Sequence, residues 1–344
     1  MSSTIPLASS RKSVTTNRRV ITTLLFAIAL GCCALPSNAS AEWKVIEYQK
    51  RDYITVQSIS DFYGFKREDS GKHVWLRENR IVVKATVGSQ DLLINNIKFI
   101  LSYPVIEVGG RRVISRLDLC KLIDPVIRPR LIRNANPFKT VILDPGHGGA
   151  DTGAKSVHGY EKDFALKLSK QLKTKLEAQG FKVILSRSGD QTMELTERVA
   201  FANSIPDAIF ISIHFNYGSS SASGIETFAL TPSGAGSTIA GPGSADYKTF
   251  SGNRRDSENI ALATAVHASV MQNLKDLRVV DRGIKRARWA VLKGINKPAI
   301  LFEGGFLTNK EESRRINDPA HRDRIATAIA SAVTNFRKAL TSTR

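Results

Sequence analysis

The chain has 344 residues and 42% hydrophobic content, enough for two packed domains and too apolar for an intrinsically disordered chain. Its net charge of +19 would suit nucleic acid in a cytoplasmic protein, but the amino terminus argues against that partner. Two of the three cysteines are Cys32 and Cys33, so no disulfide framework is available and the mature chain must be held by its core.

The first 41 residues carry Arg11, Lys12, Arg18 and Arg19, then an apolar run from Ile21 to Leu35, then Ala39-Ser40-Ala41. That order describes a secretory signal peptide, with cleavage expected after Ala41. The run is too short, and Pro36 follows too closely, for a membrane span. Gly31-Cys32 leaves a second reading open, a lipid-anchored amino terminus. The protein is therefore expected outside the cytoplasm, in the periplasm or cell envelope, with no transmembrane span in the mature chain and no nucleic-acid partner. Removing the four basic residues of this segment lowers the net charge to +15, which suits anionic wall polymers as well as plain solubility.

From Glu42 to Asp124, short apolar runs alternate with turn residues, and Val45–Tyr48, His73–Leu76, Arg80–Lys84 and Asp91–Ile94 read as strands. Two stretches look alike. Tyr53-Ile54-Thr55 leads into Ser58–Tyr63, and Val113-Ile114-Ser115 leads into Asp118–Ile123, each a short strand before a helical turn with Ser58 or Asp118 as the expected cap. With Val108-Gly109-Gly110 before the second copy, this small α+β domain resembles the copper amine oxidase N-terminal-like domain. It has no cluster of His, Cys and carboxylates, so it is expected to bind or position rather than catalyse. Cys120, in Leu119-Cys120-Lys121-Leu122, is expected as a buried structural thiol. Residues 125–138 hold three prolines and three arginines without periodicity and read as a linker.

From Lys139 the pattern becomes alternating strands and helices. Thr140–Asp144 is a buried strand, and Lys162–Gln179 is a helix with Phe164, Ala165, Leu168, Leu172 and Leu176 on one face and Gly180 as its stop. Phe181–Leu185, Ala208–His214 and Ala299–Glu303 read as strands, as do Gly224–Leu230 and a segment around Trp289–Leu292. Glu194–Asn203, Ser257–Leu274 and Pro319–Leu340 read as helices, and 231–255 as a Gly/Ser/Pro-rich loop. The result is an α/β domain over 139–344, a mainly parallel sheet flanked by helices.

Three metal-capable side chains sit at expected strand ends beside Gly or small polar residues. They are His147 in Asp144-Pro-Gly-His-Gly-Gly149, His214 in Ser212-Ile-His-Phe-Asn216, and Glu303 in Leu301-Phe-Glu-Gly-Gly305. In open α/β sheets, ligands gather at the carboxyl ends of strands. Singly, each could be an ordinary structural residue. Their flanking sequence, with Asp151-Thr-Gly-Ala154, Glu161, Leu185-Ser-Arg187, Arg198, Gly224-Ile-Glu-Thr-Phe228, Asp281-Arg-Gly-Ile284 and Phe306-Leu-Thr-Asn309, resembles the zinc-dependent N-acetylmuramoyl-L-alanine amidases of the type 3 family from about 140 to 337.

The resemblance implies that His147, Glu161 and His214 bind one Zn2+ and that Glu303 acts as general base. The implied reaction is hydrolysis, by zinc-activated water, of the amide between N-acetylmuramic acid and L-alanine in peptidoglycan. Two imidazoles and one carboxylate leave zinc an open position, as hydrolysis requires. By residue type alone Glu161 could equally serve the helix dipole. Asn216, Lys285 and Arg286 are expected at the substrate, the latter two because 278–297 carries seven basic residues and only Asp281 as an acid. A neutral reading of that stretch is a solvated surface. His158, His267 and His321 are expected to be structural or solvent-facing, and Asp144 and Asp151 to shape the loop around His147. The family can carry an inhibitory helix after the equivalent of Leu230, whereas 231–255 here reads as a flexible loop. Another zinc amidohydrolase and a catalytically dead wall binder are the competing readings. The sequence names no protein activator or division partner.

Overall fold

The computed structural model describes residues 42–341 except 134, 136 and 241–245; the expected signal peptide and Cys32 lie outside the described residues. The amino-terminal part opens with β1 (Val45–Tyr48), β2 (Arg51–Thr55) and α1 (Val56–Tyr63). A meander follows: β3 (Lys66–Ser70), β4 (His73–Glu78), β5 (Ile81–Thr86), β6 (Asp91–Ile94) and β7 (Ile97–Ile100). Then come β8 (Ile106–Val108), β9 (Arg111–Ser115), α2 (Arg116–Asp118), a π turn over Leu119–Ile123 and α3 (Asp124–Ile127). The two look-alike segments meet directly, because β2 pairs antiparallel with β9 through Tyr53↔Ser115 and Thr55↔Val113. Their helix caps are Thr55 and Ser115, whose hydroxyls accept from the backbone N–H groups of Ser58 and Asp118. Ser58 and Asp118 are thus the third helical residues, not the caps; a hydroxyl directly after each strand satisfies a free amide of the first turn.

The expected linker is partly ordered. Asp124–Ile127 is helical and Pro129–Leu131 forms a 3₁₀ turn, with Asp124 bonded to Tyr63 and Arg128. Cys120 is exposed rather than buried, a correction to the sequence reading. The π turn directs Leu119, Leu122 and Ile123 into the core and leaves Cys120 on its outer side.

The catalytic part contains β10 (Thr140–Pro145), β11 (Lys155–Ser156), β12 (Gly159–Tyr160), α4 (Glu161–Ala178), β13 (Lys182–Leu185), α5 (Leu195–Ser204) and β14 (Ala208–Asn216). β15 (Ile225–Leu230), α6 (Asp256–Asn273), β16 (Asp281–Ala287), α7 (Ala290–Gly294), β17 (Ala299–Phe306), α8 (Lys310–Asn317) and α9 (Pro319–Thr341) complete it. One eleven-stranded sheet runs in the order β13-β10-β14-β17-β15-β16-β7-β6-β5-β4-β3. The first four strands are parallel, β15 runs antiparallel to β17, and β16 parallel to β15. The sheet is mixed overall, and β7 joins β16 through Ile284↔Phe99. The change of pattern near 125–138 therefore marks a change of topology within one continuous sheet.

Alternation along the strands feeds two cores. Val141, Leu143, Ile209, Ile211 and Ile213 face the larger one, with α4, α6 and α9 above them; Ile142, Ala208 and Phe210 face the smaller, with Ala202 of α5 and Val291 and Leu292 of α7. The α4 residues at helical spacing, Phe164, Ala165, Leu168, Leu172 and Leu176, are all buried, at roughly 1.5–3 kcal/mol for each large side chain. The segment around Trp289–Leu292 is helical, with Trp289 as the N-cap of α7. The strand lies just before it, in the charged β16, whose Arg and Lys side chains have buried partners and so do not break the pairing.

Candidate metal centre and catalytic glutamate

β10 ends at Pro145, and the chain turns sharply through Gly146 and His147, whose φ of 60° lies in the left-handed region. Two buried arginines fix this turn. Arg187 donates to the carbonyls of Pro145 (3.0 Å) and Gly146 (2.8 Å), and Arg198 to that of His147 (2.7 Å). Arg198 is itself paired with the buried Asp144 at 2.6 Å, which also accepts from Ser186 and Ser212. Asp144 thus shapes the loop from below. Asp151 does so directly, its Oδ2 lying 2.8 Å from His147 Nδ1. A carboxylate on Nδ1 fixes the tautomer that leaves Nε2 as a lone-pair donor.

Glu161 is the first residue of α4 and is buried. Its Oε2 accepts from the backbone N–H of Ala154 (2.9 Å) and its Oε1 from that of Phe215 (3.1 Å). Oε1 also lies 3.0 Å from His147 Nε2 and 2.9 Å from His214 Nδ1. Burial opposes ionisation of Glu161, but the hydrogen bonds and charges of the two imidazoles overcome it and hold its carboxyl well below the usual range. One ligand atom from each of His147, Glu161 and His214 falls within a 4.8 Å span. A tetrahedral ion with bonds of about 2.0–2.1 Å needs donors about 3.3 Å apart, so the three fit a small divalent cation and leave a fourth position open.

His214 and Glu303 do not end their strands, which continue to Asn216 and Phe306. They are direct cross-strand partners, followed by a bulge before the Asn216↔Phe306 pair. On its other side Glu303 faces Glu226 of β15. The row His214, Glu303, Glu226 therefore crosses three strands on one face. Glu303 is buried, and its Oε2 has no hydrogen-bond partner. Burial first, then the charges of Glu161 and Glu226, push its carboxyl well above the ordinary value.

The family described as N-acetylmuramoyl-L-alanine amidase matches residues 141–335, more than half of the chain. The chain belongs to the N-acetylmuramoyl-L-alanine amidase family. It is 32% identical over 254 residues to the AmiA amidase of Escherichia coli strain K12, covering 66% of this chain and 86% of that protein. It is likewise 32% identical over 229 residues to the AmiC amidase of Neisseria meningitidis serogroup B, covering 60% and 55%. Among solved structures, an N-acetylmuramoyl-L-alanine amidase from Clostridium difficile 630 is 32% identical, with 58% of this chain and 97% of that one covered at a TM-score of 0.47.

In this amidase the residues expected at the substrate divide. Asn216 and Lys285 lie beside Glu303, both bonded to Glu226: Asn216 Nδ2 at 3.2 Å from Oε2 and Lys285 Nζ at 2.8 Å from Oε1. Arg286 does not. It is 1% exposed and paired with the buried Asp118 and with Ser102 of the amino-terminal part, because alternation along β16 turns it to the opposite face from Lys285. His267 is buried between Thr227 and Asp281, His321 is buried near α8, and His158 is exposed in the β11–β12 turn. The described part of 231–255 contains 3₁₀ turns at Thr238–Ala240 and Ser251–Arg255 and an isolated bridge between Ala235 and Asp246, and no α-helix. It leaves β15 at Leu230, the end of that strand remote from Glu226 and Glu303.

Glu226 was not read from sequence as part of the site, and Arg282 was read only as one of the seven basic residues of 278–297. The available signal was an acid inside the otherwise apolar Ile225–Leu230 strand, all of it buried. A carboxylate there needs cations, and Arg282 and Lys285 supply them.

Proposed function

We propose that His147, Glu161 and His214 hold zinc in this amidase, and that Glu303 is the general base for cleaving the N-acetylmuramic acid–L-alanine amide of peptidoglycan. Bound zinc supplies a Lewis acid that lowers the pKa of water to about 7 and favours charge on the scissile carbonyl oxygen. The Glu303 carboxylate takes a proton from the attacking water as the water oxygen bonds to the carbonyl carbon. The same proton passes to the L-alanine nitrogen as the C–N bond breaks. The observation that carries this reading is the unpartnered, buried Oε2 of Glu303, in register with a histidine of the metal-capable trio. Asp151 orients His147, and the Ala154 and Phe215 amides orient Glu161, so the trio is built before any ion arrives.

The test separates the two glutamates. Glu161→Ala removes one of three protein ligands and should lose metal and activity together. Glu303→Gln keeps shape but cannot accept a proton, so it should retain zinc while turnover falls by about two to four orders of magnitude. Full zinc content in the first variant, or near-normal turnover in the second, would overturn the assignment.

Lys285 borders Glu303 on the side away from the trio, and Asn216, on the strand of His214, reaches across to the same Glu226, where both can meet the peptide portion of the substrate. Wall attachment is assigned to the amino-terminal part. A cavity of about 470 Å³ between that part and the loop after β15, lined by Lys50, Arg51, Asp52, Arg116, Tyr103 and Tyr247, carries more cations than anions and suits an anionic glycopeptide. Export by the amino-terminal segment would bring the enzyme to that substrate, and the mass of the exported chain reads whether it begins at Glu42. No helix of the described residues is long and apolar enough to cross a membrane.

A further inference from the structure

Two carboxylates face each other across β15 and β17, and they are treated differently. Glu226 Oε1 accepts from both Arg282 Nε and Lys285 Nζ, and its Oε2 from Asn216 Nδ2. Glu303, its direct cross-strand partner, has no Lys or Arg partner among the described residues, and its Oε2 is bare. Neither cation is free to choose its place at random. Arg282 also lies over the Phe306 ring at 4.9 Å, and Lys285 lies 5.9 Å from that of Phe228. Directly paired strand residues have Cα atoms about 4.5–5.5 Å apart, so a lysine held by one carboxylate is within a side-chain rotation of the other.

We infer that Glu226 is a positioning residue that captures Lys285 and Arg282, keeping the Glu303 carboxylate free of a cation so that it can take the proton of the attacking water. This rests on the reading of Glu303 as general base. A base in a buried strand loses its use if an ammonium group settles on it. An opposite charge within about 4–6 Å typically weakens a carboxylate base by a factor of ten to a thousand. The bare oxygen therefore requires that nearby cations be occupied elsewhere. Glu226 does this from the next strand, buried and held by three donors, while Asn216 fixes its second oxygen and so its rotamer.

The prediction is specific to the freed lysine. In the full chain, Glu226→Gln keeps the size and the Asn216 side of the contact but releases Lys285. Turnover should fall about 10–100-fold with zinc content unchanged. Adding Lys285→Met removes the released ammonium, while Arg282 keeps its place over the Phe306 ring, and Glu226→Gln/Lys285→Met should regain at least about tenfold in kcat even where KM has risen. Glu226→Asp, which keeps the charge, should stay at least fivefold above Glu226→Gln. A purely structural role for Glu226 predicts the reverse order, with the double variant no better than the single. Thermal melting of each variant identifies loss of fold, and if Glu226→Gln does not fold the comparison of Glu226→Asp with the double variant decides. Normal turnover in Glu226→Gln, or no recovery in the double variant, overturns the inference. Glu303→Gln, measured alongside, keeps the two readings apart: if it retains activity the base assignment fails, and if it is dead while Glu226→Gln is normal only this inference fails.

Discussion

Gly153 shows how tightly the centre is specified at the scale of one residue. Its φ of +62° is the left-handed conformation, and a Cβ built there would lie 2.5 Å from His147 Cδ2 and 2.6 Å from Glu161 Oε2. Gly146 is similar in crowding, its Cβ position falling 2.2 Å from His214 Cε1. Each glycine lets backbone pass where a ligand ring must stand. Gly153→Ala must therefore displace His147 or Glu161, beyond the roughly 1–2 kcal/mol that a left-handed alanine costs. We expect a folded protein whose zinc affinity falls about 10–100-fold, the usual effect of disturbing the groups that orient a ligand. Competition with a zinc chelator measures this, and an unchanged affinity would show that the loop yields without moving His147 or Glu161.

Elements with a single strong period were legible in the sequence, and those whose logic is a distant partner were not. The apolar stripe of α4 and the buried runs of β10, β14 and β17 need no knowledge of neighbours. His147, His214 and Glu303 stood out because metal-capable groups met glycine after such runs. β16 was hidden because Asp281-Arg-Gly-Ile-Lys-Arg-Ala287 reads as polar until Glu226, His267 and Asp118 are seen to receive its charges. Arg286 and Lys285 are adjacent in sequence, and only strand alternation sends one to the cleft and the other to the core. The α8–α9 junction is another case. His321 looked solvent-facing or structural after Pro319, yet burial and the charges of Arg315 and Arg324 push its pKa down to about 4. It is neutral in the folded state at pH values where the unfolded chain, with a pKa near the ordinary value of about 6.5, already binds a proton. Its contribution is therefore complete above about pH 6.5 and is lost as pH falls toward about 4, by about 3 kcal/mol in all. Urea unfolding of His321→Gln at pH 7.5 and pH 4.5 should show a smaller loss on acidification than the parent. Equal losses would assign the acid sensitivity elsewhere.

At the scale of the whole molecule, the contact that joins the amino-terminal part to the catalytic strands is an ion pair rather than an apolar seam alone. Asp118 is fully buried and accepts from the backbone N–H groups of Ser102 (2.9 Å) and Tyr103 (3.2 Å), from Ser115 Oγ (2.7 Å), and from Arg286. Three donors from its own part fix the carboxylate, so Arg286 of β16 docks onto an acceptor already in place. Tyr103 Oη donates to Gly234 O at 2.6 Å and Lys121 lies 3.2 Å from the buried Asp256, which adds two polar ties across the same boundary. A fragment beginning near Asn136 would keep His147, Glu161, His214 and Glu303, but it would leave Arg286 without its partner and β16 without β7. Asp118→Leu strands the Arg286 charge in the interior, at a cost of about 3–5 kcal/mol, and also leaves the Ser102 and Tyr103 amides without their acceptor. Replacing both groups, as Asp118→Leu/Arg286→Met, removes the charge with its partner and should recover the part of the loss due to the stranded charge, while the part due to the orphaned Ser102 and Tyr103 amides remains. Denaturant unfolding of the parent, the single variant and the double variant measures the sequence of effects, with turnover on soluble muropeptides per folded molecule expected to stay level in all three. A single variant as stable as the parent would mean that the two parts are held by the β7–β16 edge and not by this pair.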